Sequence, residues 1–104
     1  MKINLPLDLV VEGRSVSVYH HPEPAYPFHM LIVPKKAIDS LMGLNEEDGD
    51  LLLEIFLIAK SLVEKYALEQ IGYRLILNGG EHQQFSQLHF HLISEKAGIE
   101  KKEE

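Results

Sequence analysis

The chain has 104 residues, no cysteine, 45% hydrophobic and 25% charged side chains, and a formal charge of −6. That length holds one hydrophobic core, the composition is that of an ordinary globular domain, and without cysteine there is no disulfide framework, thiolate zinc site or cysteine nucleophile. The negative charge opposes nucleic-acid backbone, no run approaches the roughly 18 apolar residues of a membrane span, and Met1 to Pro6 lack a signal peptide's apolar stretch, so a cytoplasmic domain with neither nucleic acid nor membrane as partner is expected. Much of the acidity sits in Glu46, Glu47, Asp48 and Asp50 and in Glu100 to Glu104, which leaves room for a local pocket that takes a small anion.

Leu7 to Val11 and Ser15 to Tyr19 are rich in β-formers and flank Glu12-Gly13-Arg14, a hairpin signal. His20 to Pro27 holds Pro22, Pro24 and Pro27 and reads as an ordered loop able to line a site. Phe28 to Val33 is a strand ended by Pro34, with a short helical segment near Lys36 to Met42. Asn45 is a helix N-cap with Glu46, Glu47 and Asp48 in the first turn, and the helix should run to about Leu68. Its core stripe is Leu52, Ile55, Phe56, Ala59, Leu62, Val63 and Tyr66. Leu53 and Leu57 lie one turn apart on its polar side, either as incidental exposed apolar residues or, the favoured reading, as a contact with another subunit.

Tyr73 to Leu77 alternates as a strand and ends at Asn78-Gly79-Gly80, a run that permits positive φ and close approach to a ligand. In the last strand, Gln87 to Ser94, Leu88, Phe90 and Leu92 point into the core while Gln87, His89 and His91 share the other face. Two imidazoles at i and i+2 stand roughly 7 Å apart, near enough to address one phosphate, one attacking while the other holds oxygen. This reading requires the His89 ring to face an open cleft on the side away from the core. A metal site is the other chemical reading, with His29, His82 or Glu81 completing the pair.

The segment Gln87-Leu88-His89-Phe90-His91-Leu92-Ile93 resembles the His-φ-His-φ-His-φ-φ motif of the histidine triad (HIT) superfamily, φ being apolar. Upstream, Phe28-His29-Met30-Leu31-Ile32-Val33-Pro34-Lys35 is similar to the family's strand and proline-lysine stop, and Asn78-Gly79-Gly80 corresponds as well. The elements recur in family order from about Val16 to Ser94. The resemblance implies an α+β fold with an antiparallel sheet of about five strands, one long helix and one short one, in a single domain over 1–98 followed by a charged tail over 99–104. It also implies a homodimer with a ten-stranded sheet, for which Leu53 and Leu57 would be contacts.

In chemistry, it implies a nucleotidyl hydrolase or transferase, of the phosphoramidase or dinucleoside polyphosphate kind, that works through a nucleotidyl-histidine and needs no cofactor or metal. His89 takes the nucleophile's place, His91 that of the phosphate-binding histidine, and His29 and Asn78 match residues near the phosphate. The sequence departs from the pattern in three places. Gln87 stands for the first histidine and can orient neighbours but not titrate. His21 stands where relatives carry a ribose-binding acid, and Gln84 where phosphoramidases have serine. Protonation of the leaving group would fall to His82 or His91. A regulatory module that binds nucleotide or phosphate without efficient turnover is the alternative that these departures permit.

Overall fold

The computed structural model describes residues 8–98. Strand β1 (Asp8–Glu12) pairs antiparallel with β2 (Val16–His20) through the expected hairpin, and β2 pairs with β3 (Phe28–Pro34). Leu7 and the 99–104 tail lie outside the described residues. The remaining strands are β4 (Arg74–Leu77) and β5 (Phe90–Ser94), and the sheet order is β1-β2-β3-β5-β4, antiparallel throughout. This is the α+β architecture anticipated above.

Helix α1 (Gly49–Lys65) crosses one face of the sheet. Asn45 caps it as expected, but through a 3-10 turn over Glu46–Asp48: its Oδ1 accepts the Glu47 N–H, and its own N–H donates to Asp48 Oδ2. The helix stops short of Leu68 because Ala67 takes a left-handed conformation, φ 55°, that turns the chain into a second short helix, α2 (Leu68–Ile71). The short helix therefore follows the long one. Lys36 to Met42 is mostly extended strap, with a 3-10 turn over Leu41–Gly43 only.

Alternation along each strand divides the sheet's two faces. Val16, Val18, Phe28, Met30, Ile32, Leu88, Phe90 and Leu92 pack with Ile55, Ala59, Leu62, Val63 and Leu68 as one core. Leu52 and Tyr66 lie partly buried against it, as the helical stripe requires. Phe56 does not: at the flank of the stripe it leaves half its surface open, while its ring meets Phe90 edge-on at 6.1 Å. The opposite face carries His29 of β3 and His91 of β5; β5 begins at Phe90 rather than at Gln87, so Gln87 and His89 stand in the segment that leads into the strand.

Candidate active site

Parity of three strands assembles the site. His29 on β3 and His91 on β5 fall on the face away from the helix, in the register Leu31↔His91 and His29↔Ile93, so they are diagonal neighbours. His21 follows β2 by one residue, and its N–H bonds to the His29 carbonyl at 3.0 Å, which sets it across from His29. His21 and His29 rings lie 4.2 Å apart between centroids, His29 and His91 5.1 Å, and His21 and His91 5.8 Å. His89 joins at 5.0 Å from His91. That is closer than strand spacing alone gives, because the two rings tilt toward each other at 64°.

Backbone groups dictate where each ring holds its proton. The Gln87 carbonyl accepts from His89 Nδ1 at 2.7 Å, so Nδ1 carries hydrogen and, in the neutral ring, Nε2 keeps a lone pair. The Ala25 N–H donates to His29 Nδ1 at 3.1 Å, which leaves the His29 proton on Nε2. That proton is donated to His91 Nδ1 at 2.9 Å, so His91 in turn exposes an Nε2–H. Two adjacent rings are thus held in opposite states: His89 with a free lone pair, His91 with a free donor. Burial, reinforced by the neighbouring imidazoles, pushes His91 and His29 down to about 4.

The cleft is not open, contrary to expectation. His89 is 3% exposed and His91 8%, with the Phe85 ring 5.5 Å from His89 and Tyr26 edge-on to His29 at 5.6 Å. The His89 ring lies against His91 and Phe85, neither of which belongs to the helix-side core. Among the described residues its Nε2 has no partner and Gln87 Oε1 is the fully buried orphan, so a sliver of the His89 edge still meets solvent. The surface grooves lined by Tyr73, Arg74 and Ser94, and by Phe56, Val63 and Tyr73, lie apart from these histidines.

Other expected site residues are placed differently. The Gln87 side chain makes no hydrogen bond to the His89 or His91 ring among the described residues, although its carbonyl accepts from His89 Nδ1; it is 1% exposed, and its Nε2 donates to the Pro34 and Lys36 carbonyls at 3.3 and 3.2 Å, which ties the histidine segment to the chain leaving β3. Asn78 follows Leu77↔Phe90, the last pair of β4 with β5, and so approaches His89 along the register. Gln84 is exposed and makes no hydrogen bond among the described residues. His82 is exposed on a 3-10 turn, Gly80–His82, begun by Gly80 at φ 59°. Phe85 and Tyr26, which cover the rings, had no sequence signal beyond being lone aromatics in polar loops.

One potential metal cluster exists among the described residues: nitrogens of His21, His29 and His91 lie within 4.8 Å of one another. It includes neither His82 nor Glu81. The groups behind two of these rings have the wrong polarity for a metal. A metal on Nε2 requires hydrogen on Nδ1 and an acceptor facing it, whereas His21 and His29 Nδ1 face the N–H groups of Glu23 and Ala25.

Residues 2–98 match the HIT domain family profile. A HIT-like protein of Buchnera aphidicola (subsp. Baizongia pistaciae) is 31% identical over 94 residues, covering 88% of this chain and 84% of its own. The purine nucleoside phosphoramidase of Escherichia coli K12 is 29% identical over 91 residues, 86% of this chain and 76% of that one. Among solved structures, a HIT family hydrolase from Legionella pneumophila superposes with a TM-score of 0.83 at 32% identity, covering 88% and 84%. A histidine triad protein from Clostridium difficile gives 0.81 at 29%, covering 95% and 87%.

Proposed function

Because the chain belongs to the HIT domain family, we propose that it is a nucleotide-binding hydrolase or transferase in which His89 Nε2 attacks the α-phosphorus of a nucleoside phosphoramidate or dinucleoside polyphosphate. The observation that carries this reading is the opposite tautomers of His89 and His91. The lone pair forms the N–P bond as the P–N or P–O bond to the leaving group breaks, and the His91 Nε2–H holds a phosphate oxygen. Water then attacks phosphorus, and the bond to His89 breaks. The leaving group takes its proton from solvent and the attacking water gives one back: neutral His91 has a single N–H, already on phosphate, and would become an imidazolate by giving it up, while exposed His82 makes no ring contact with His89 among the described residues. The Escherichia coli phosphoramidase and the Legionella hydrolase are relatives of this chemical kind. Admission of a nucleotide requires Phe85 to swing off His89.

Incubation with a labelled phosphoramidate or aminoacyl-adenylate should give an adduct on His89, seen by mass spectrometry of the digested protein. His89→Ala should remove it and slow turnover by at least about a thousandfold, as loss of a covalent nucleophile does. The near-complete burial of His89 favours a second reading, a binding module without efficient turnover. Nucleotide binding with no adduct would select that one.

A further inference from the structure

The loop between β2 and β3 holds two rings by the same device. Glu23 N–H donates to His21 Nδ1 at 2.9 Å, just as Ala25 N–H donates to His29 Nδ1 at 3.1 Å. Only an unprotonated nitrogen accepts an N–H, so the neutral His21 ring presents Nε2–H. His29 spends its proton on His91, while the Nε2–H groups of His21 and His91 make no hydrogen bond within the described residues. Their rings are stacked at 26°, 5.8 Å apart. Burial lowers the proton affinity of His21 and His89 adds to that, whereas the Glu23 charge raises it. Glu23 is the acidic group felt there, and it is exposed, where solvent screens it.

We infer that the Nε2–H of His21, beside that of His91, forms a second anion subsite that takes a second phosphate of the same substrate. The inference rests on the reading above, in which the first phosphate is at His89. His91 stands between the two positions, 5.0 Å from the His89 ring and 5.8 Å from the His21 ring, so the second anion sits one group away from the reacting phosphorus. An N–H donor added next to the one that holds the first phosphate favours an anion, which only accepts, over a diol, whose hydroxyls also donate, and over a cation, which needs lone pairs. The preferred substrate class is thus a nucleotide with a second phosphate, carried either on the phosphate chain or on the ribose.

Calorimetric titration of the intact chain with AMP, ADP and adenosine 3′,5′-bisphosphate separates these cases. One doubly phosphorylated ligand should bind at least about tenfold more tightly than AMP, the gain of one hydrogen bond to a charged group. A gain with ADP places the second phosphate on the chain; a gain with the bisphosphate places it on the ribose. His21→Asp should reverse the preference by repulsion, and His21→Gln, which keeps an N–H donor, should retain part of it. Equal affinity for all three ligands, or a preference that survives His21→Asp, overturns the subsite. Adduct formation at His89 with equal affinities overturns this inference alone; a tenfold preference without an adduct overturns only the catalytic reading.

Discussion

At the scale of single residues, the chemistry turns on protons whose positions the backbone fixes. His29 and His91 are linked Nε2 to Nδ1, and both are pushed down to about 4 by burial and by the rings around them. An unfolded histidine titrates near 6.5. Between pH 6.5 and about 4, the unfolded chain therefore binds protons that the folded chain refuses. The stability contributed by these neutral rings is fully present above about 6.5 and is lost as pH falls toward 4. Melting temperature should drop most steeply in that window. The 15N shifts of His29 and His91 should stay at neutral-ring values down to about pH 5. Titration of both rings near 6.5 would show that the buried pair is not neutral in the way described. That His89 and His91 lie side by side was legible from strand alternation, and His29 from the family resemblance, but their tautomers were not. Those depend on Ala25 and Gln87 backbone groups that meet the rings only in the folded chain.

At the scale of elements, the segment that delivers His89 is laced to the strap leaving β3. Gln87 Nε2 donates to the Pro34 and Lys36 carbonyls, Leu88 N–H to the Ile38 carbonyl at 2.6 Å, and Gln83 Nε2 to the Asp39 carbonyl at 2.6 Å. The strap is itself anchored to the start of α1 by Lys36 Nζ on Asp48 Oδ1 at 2.6 Å, which holds the Asp48 carboxyl below its ordinary range. Gln87 thus keeps the histidine strand in place through hydrogen bonds that no histidine at that position makes in the same way, since a neutral ring offers one N–H where the amide offers two. Gln87→Ala strands the Pro34 carbonyl in a buried setting and should cost about 1–3 kcal/mol in urea denaturation. Turnover should fall mainly in kcat, with the His89 adduct still formed but more slowly. An unchanged denaturation midpoint would refute the clamp. Sequence spacing put Gln87 on one face with the histidines, by an alternation that in the structure begins only at Phe90. It suggested a partner in the site because the strap's path, extended where a short helix was expected, was not readable from Lys36 to Met42.

At the scale of the molecule, the five-stranded sheet has one face covered by α1 and α2, the histidines on the other, and β4 at one edge. Among the described residues, β4 pairs with β5 alone. Strand alternation and the Asn45 cap made this layering legible beforehand, while the early end of α1 was not, because it hangs on one left-handed residue, Ala67. The helix predicted to expose two leucines does so: Leu53 is 57% and Leu57 53% exposed, and Phe56 adds a third open apolar side chain at 52%. Apolar side chains clustered on the outer side of one helix fit a second copy of the chain, related by a two-fold axis that pairs each patch with itself. Sedimentation equilibrium should then find a dimer. In an isologous contact every substitution acts twice, and each buried leucine is worth about 1.5–3 kcal/mol, so Leu53→Glu should weaken the dimer at least about a hundredfold, with Leu57→Glu doing the same. Because α1 and the histidines lie on opposite faces of the sheet, the monomeric variants should keep the His29 and His91 imidazole resonances in place. A native chain that sediments as a monomer would leave those leucines as ordinary exposed side chains.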